Sequence, residues 1–91
     1  MRSYRTARFR KLYSGLPTQV QAQAMKSYGQ WSEFMRTGIP YPALNWELID
    51  QEERTYTVRV GLGYRAMCVE EDGDYTWFWI GSKGDWERFV G

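Results

Sequence analysis

The sequence predicts an α+β domain: an N-terminal antiparallel helical hairpin packed on a curved, mainly antiparallel four-stranded sheet, closed by a short C-terminal helix. Three observations predict it. Apolar residues recur at helical spacing from Phe9 to Met35. After Pro42 the pattern changes to the two-residue period of strands. Gly61-Leu62-Gly63 and Asp72-Gly73 then sit between alternating runs, where hairpin turns belong.

Each element follows in order. Residues 2–5 have room for a short edge strand. Phe9, Leu12, Tyr13 and Leu16 form one apolar stripe of a first helix beginning near Thr6. Gly15 is expected to end it in a left-handed conformation. Pro17 suits the start of a second helix, because a first-turn N–H has no partner to lose. Val20, Ala24, Tyr28, Trp31 and Met35 continue a helical stripe until Gly38 and Pro40 close it. A connection this short folds the two helices back on each other. Leu44 to Asp50 reads as the first long strand and Arg54 to Gly61 as the second. In the latter, Tyr56, Val58 and Val60 share one face and Thr55, Thr57 and Arg59 the other. Tyr64 to Glu70 and Asp74 to Ile80 complete the sheet. Simple alternation places Tyr75, Trp77 and Trp79 on one side of the last strand. Ser82 with Asp85 resembles a capping box that starts the final helix.

Composition bounds the function. A chain of 91 residues makes one domain over residues 1–91, since chains this short bury only about 60% of their unfolded surface. Its 43% apolar and 18% aromatic content excludes a disordered tail. A single cysteine, Cys68, cannot staple a secreted mini-protein, and its apolar neighbours predict a buried inert thiol. No run approaches the roughly 20 apolar residues of a membrane span. The basic first residues are followed by no hydrophobic segment, so no signal peptide is expected and the cytoplasm is the expected location. Histidine is absent, which removes the commonest general base and metal ligand. No metal and no cofactor is expected. The net charge of +1 is uneven: residues 1–36 carry seven basic groups and one acid, while the rest is acidic. The N-terminal part can face a polyanion or an acidic partner, or simply be solvated.

Arg59, Arg65 and Lys83 are the candidate cluster. A meander sets the Arg59 and Arg65 strands side by side, with Lys83 where the last strand ends. Two outcomes are open from spacing. The arginines pair across strands with acids such as Glu47 or Glu70. Alternatively, the three cations converge beside aromatic rings, an arrangement that holds a phosphodiester and stacks bases.

The stretch from Tyr56 through Arg59, Gly61 and Gly63-Tyr64-Arg65 to Ala66, with Trp77-Phe78-Trp79-Ile80-Gly81-Ser82, resembles the RelE/ParE toxin superfamily of bacterial toxin–antitoxin systems. Arg8-Phe9-Arg10-Lys11-Leu12, Leu16-Pro17 and Pro42-Ala43-Leu44 are similar as well. The resemblance implies a toxin held inactive by a cognate antitoxin. It implies a ribosome-dependent, metal-independent mRNA endonuclease, in which a ribose 2′-hydroxyl attacks the adjacent phosphate. Arg65 would then stabilise the phosphate and Arg59 would add a second cation. The stretch from Gly81-Ser82, including Lys83, would supply acid–base groups, with Trp86 and Tyr64 as RNA-binding rings. Relatives often carry His where this chain has Lys83 and Tyr where it has Trp86. An indole exchanges no proton at useful pH. That departure keeps two other readings in view: a ParE-like inhibitor of DNA gyrase without catalysis, and a relative that only binds antitoxin.

Overall fold

A computed structural model describes residues 1–91. The chain runs β1 (Ser3–Arg5), α1 (Ala7–Ser14), α2 (Thr18–Thr37), a 3-10 turn (Pro42–Leu44), β2 (Glu47–Asp50), β3 (Thr55–Val60), β4 (Tyr64–Glu71), β5 (Asp74–Ser82) and α3 (Lys83–Val90). The sheet has five strands, not four, in the order β1-β5-β4-β3-β2, and β1 runs parallel to β5. Three residues carry too little pattern to announce a strand. What fixes β1 is pairing: Tyr75 N–H donates to the Arg2 carbonyl at 2.9 Å, Thr6 N–H to the Trp77 carbonyl at 3.0 Å, and Arg2 N–H to Asp74 Oδ1 at 2.8 Å.

The helix ends follow local chemistry. The Thr6 hydroxyl caps α1 by accepting from Phe9 N–H at 3.0 Å. Gly15 ends α1 at φ −85°, a right-handed conformation rather than the expected left-handed one. Leu16 N–H bonds back to the Tyr13 carbonyl, and Pro17 starts the next segment extended. Gly38 does take the left-handed conformation, at φ 76°, where glycine carries no Cβ penalty. The first long strand begins at Glu47, not Leu44. Pro42 turns the chain into the 3-10 helix instead, and that helix buries Leu44.

The helices form only part of a hairpin. Gln21 Nε2 donates to the Tyr13 and Leu16 carbonyls at 3.0 and 3.3 Å, which ties the connection. Beyond it, α1 rests on β5 and α2 on β3. The main core lies between these helices and one sheet face. Trp31, 1% exposed, is its centre, with the rings of Tyr75 and Trp77 edge-on at 5.2 and 5.0 Å. Trp46 stacks on Tyr56 at 4.4 Å beside it. Cys68 is fully buried in the middle strand, and burial pushes its thiol far up from the ordinary value. No helix is long and apolar enough to cross a membrane.

One irregularity re-aims β5. Met67 pairs with Trp79 but Cys68 with Trp77, so Phe78 is an extra residue in a bulge. Trp77 and Ile80 therefore share the helix-facing core, and Trp79 turns to the opposite face. Simple alternation had placed Trp79 beside Trp77. The Asp72-Gly73 turn has both residues at positive φ, 52° and 86°, as a two-residue hairpin requires.

Two predictions follow from this packing. Truncating Trp31→Ala costs about 3–5 kcal/mol, a large part of the roughly 5–14 kcal/mol a chain of this size holds, and urea unfolding measures it. The second concerns Glu70, whose carboxylate accepts Gly73 N–H at 2.8 Å and Arg54 Nε at 3.0 Å. The Gly73 bond first, then the Arg54 bond, hold this carboxyl below its ordinary value of 4.5. A carboxyl depressed in the folded state stabilises above pH 4.5 and loses that contribution as pH falls through its folded value. Denaturant midpoints of the parent should fall across that acid window more steeply than those of Glu70→Gln.

Candidate anion-binding site

The site is built on the sheet face turned away from α1 and α2. Strand alternation puts Val58, Val60 and Ala66 in the main core and leaves Thr57, Arg59, Arg65 and Met67 on the other side. The β3–β4 register makes Arg59 and Arg65 direct partners, and Arg65 pairs on its other side with Gly81. The two guanidinium-bearing residues therefore share one face at one end of the sheet. Neither makes a salt bridge. Glu70 binds Arg54 instead, and Glu47 pairs in register with Thr57.

The two arginines differ in setting. Arg59 is exposed, while Arg65 is only 7% exposed. Arg65 Nη1 donates to the Tyr64 carbonyl at 2.7 Å and to the Leu62 carbonyl at 3.4 Å. Its guanidinium carbon lies 5.7 Å from the centre of the Trp86 ring, a cation–π contact. Burial first, then neighbouring Arg59, push the Arg65 guanidinium below its ordinary value, and Glu87 pulls it back. It stays charged, since guanidinium does not lose its proton in proteins.

Helix α3 supplies the remaining groups. The Ser82 hydroxyl caps it by accepting Asp85 N–H at 3.1 Å. Lys83 N–H donates to the Gly63 carbonyl at 2.8 Å, which pins the start of α3 to the β3–β4 turn. Lys83 thus stands at the same end of the sheet as the arginines. Its Nζ is 4.0 Å from Glu87 Oε1, and both side chains are about half exposed. Trp79 packs against Phe89 of α3 at 5.7 Å between ring centres. The absence of a side chain at Gly81 makes room for Trp79, because a Cβ there would stand 2.7 Å from the indole.

Three of the residues expected from sequence, Arg59, Arg65 and Lys83, are gathered at this end, and Trp86 joins them. Tyr64 does not. It is half-buried on the helix-facing side and packs against the main core, because it alternates with Arg65 along β4. Glu87, the carboxylate that offsets the cluster, was not singled out from sequence. Its only signal is the four-residue spacing from Lys83.

Like charges opposed across a strand pair repel. Replacing the exposed partner, Arg59→Gln, should therefore raise stability by about 0.2–1 kcal/mol at low salt. The gain should vanish near about 1 M salt, where screening reaches about 3 Å. Urea titrations at the two ionic strengths measure it.

No protein-family profile and no curated protein matches the chain. Solved structures do. A chain of the RelB–RelE antitoxin–toxin complex from Methanococcus jannaschii superposes with a TM-score of 0.71 at 12% identity, covering 97% of this chain and 99% of its own. YafQ from Escherichia coli gives a TM-score of 0.62 at 10% identity, covering 94% and 98%. A conserved hypothetical protein from Helicobacter pylori gives 0.60 at 11%, covering 92% and 96%. Coverage is nearly complete in both directions, so the likeness extends to the whole architecture: the chain shares the fold of that chain of the RelB–RelE complex and of YafQ.

Proposed function

We propose that this protein is the toxin of a toxin–antitoxin pair and that it cleaves mRNA on the ribosome without a metal. The observation that carries the reading is the unneutralised pair Arg59 and Arg65, opposed in register on one face. Such a pair is stabilised by an anion placed between its members, and a phosphodiester supplies one. Arg59 and Arg65 hold the phosphate and the negative charge that grows on it. Glu87 accepts the proton of the 2′-hydroxyl as its oxygen attacks phosphorus. Lys83 gives a proton to the departing 5′-oxygen, leaving a cyclic phosphate and a free hydroxyl. Protonated Glu87 then returns the proton to the neutral Lys83 amine through one bridging water, across the 4.0 Å between Glu87 Oε1 and Lys83 Nζ, which resets both groups. Trp86 stacks on a base or keeps its place over Arg65. The RelB–RelE neighbour supports a cognate antitoxin as partner.

A second reading is favoured by one observation: Arg65 is covered, and its donors are turned to backbone carbonyls. A cation so engaged suits a binding surface, as in a ParE-like inhibitor of DNA gyrase. A chain that keeps only antitoxin binding is the limiting case of that reading.

Mapping ribosome-bound mRNA after brief induction separates these readings, since it reports cleavage and its position together. The nuclease reading expects cleavage by the parent. It expects a loss of at least about a hundredfold in Arg65→Ala, and a smaller loss in Arg65→Lys, which keeps charge without the fork. Circular dichroism of both variants controls for folding. An intact transcript pool with arrested growth, together with inhibited supercoiling by purified protein, would replace the nuclease reading with the gyrase one.

A further inference from the structure

Where α1 and α2 part, a cavity of about 280 Å³ opens between them, β1 and the sheet. Its walls are apolar, formed by Phe9, Trp31, Val58, Trp77 and Ile80. Two features distinguish it from a packing defect. Trp31 and Trp77 are 1% and 4% exposed, and the indole N–H of each is buried without an acceptor. An indole nitrogen only donates, so each is left without the lone pair it would bond. The second feature is Arg5, which lines the same cavity, is exposed and makes no salt bridge. Ser3 and Ser27, both half-buried, add hydroxyls to the lining.

We propose that this cavity binds a small aromatic or branched aliphatic carboxylate. The apolar body fills the space among Phe9, Val58 and Ile80, and the carboxylate meets the Arg5 guanidinium. Arginine takes a carboxylate in a two-pronged bond, and the two oxygens also offer the acceptors the indoles lack. A neutral hydrocarbon would leave both N–H groups and Arg5 unanswered. A cation would be repelled by Arg5 and by the basic first 36 residues, which hold seven basic groups and one acid. The volume suits one ring with a short chain, at the small end of ligand pockets. The site lies across the sheet from Arg59 and Arg65, so it is independent of the function proposed above.

Phenylpropionate, phenylpropylamine and phenylpropionamide are the probes, titrated into the full chain by calorimetry and by tryptophan fluorescence. Phenylpropionate is expected to bind with a Kd of about 1 mM or tighter. The amine should not bind, and Arg5→Gln should weaken the acid at least about fivefold while leaving the exposed β1 fold intact. Ser27→Phe, which fills the lining from α2, should abolish binding. No heat and no fluorescence change up to about 10 mM acid would overturn the proposal. So would equal binding of acid and amine, or an unchanged Kd in Arg5→Gln. Saturation by an acidic aromatic peptide with no response to the free acid would also overturn it, and would assign the cavity to a protein partner.

Discussion

Two positive side chains face each other because the rest of the sheet leaves them no alternative. The three residues between β3 and β4 fix the register that opposes Arg59 to Arg65. A slip by one position would carry Val58, Val60 and Ala66 out of the core and onto the open face. The cost of that slip is several buried side chains, at about 1.5–3 kcal/mol each, against at most about 1 kcal/mol for the repulsion. Hydrophobic burial on one face thus holds an electrostatic strain on the other. Glu87 offsets part of that strain from α3.

The helix-facing core explains why the strained face is rigid. Trp31 meets Tyr28, Trp46, Tyr75 and Trp77, and so links α2 to the loop before β2 and to β5. On the far side, Met67 and Trp79 form a smaller apolar floor, reached because the bulge at Phe78 turns Trp79 over. Helix α3 sits on that floor through Phe89 and brings Trp86 above Arg65. Without the extra residue in β5, Trp79 would lie with Trp77, and α3 would lose its seat. The placement of Lys83 and Glu87 therefore depends on a backbone irregularity in a strand that carries neither.

Much of this was legible in the residues, for reasons of periodicity. The stripe from Val20 to Met35, the alternation through Tyr56, Val58 and Val60, and the Asp72-Gly73 turn each repeat one geometric rule often enough to be read. The same rule set Arg59 opposite the Tyr56 stripe, with its strand beside that of Arg65 and Lys83 at the strand end; the shared face of the two arginines is fixed by the register. What escaped was set by non-local contacts. Ser3–Arg5 becomes a strand only because β5 offers it carbonyls and amides 72 residues further along the chain. The bulge at Phe78 leaves no mark in an aromatic run where every residue fits either face. The resemblance offered Tyr64 as an RNA-binding ring next to Arg65, but adjacency along a strand means opposite sides. The cover over Arg65 was hidden for a related reason: the reach of Trp86 depends on where α3 lies, and its capping box fixes only where it starts.

The burial of Cys68 has a practical corollary. The only sulfhydryl lies in the middle strand between Tyr56 and Trp77 of the flanking strands, with its ionisation suppressed by its surroundings. An alkylating reagent reaches it only in molecules whose central strands have separated. The rate of its modification is therefore a clock for whole-molecule opening, silent to fraying of β1 or α3, and it needs no engineered label.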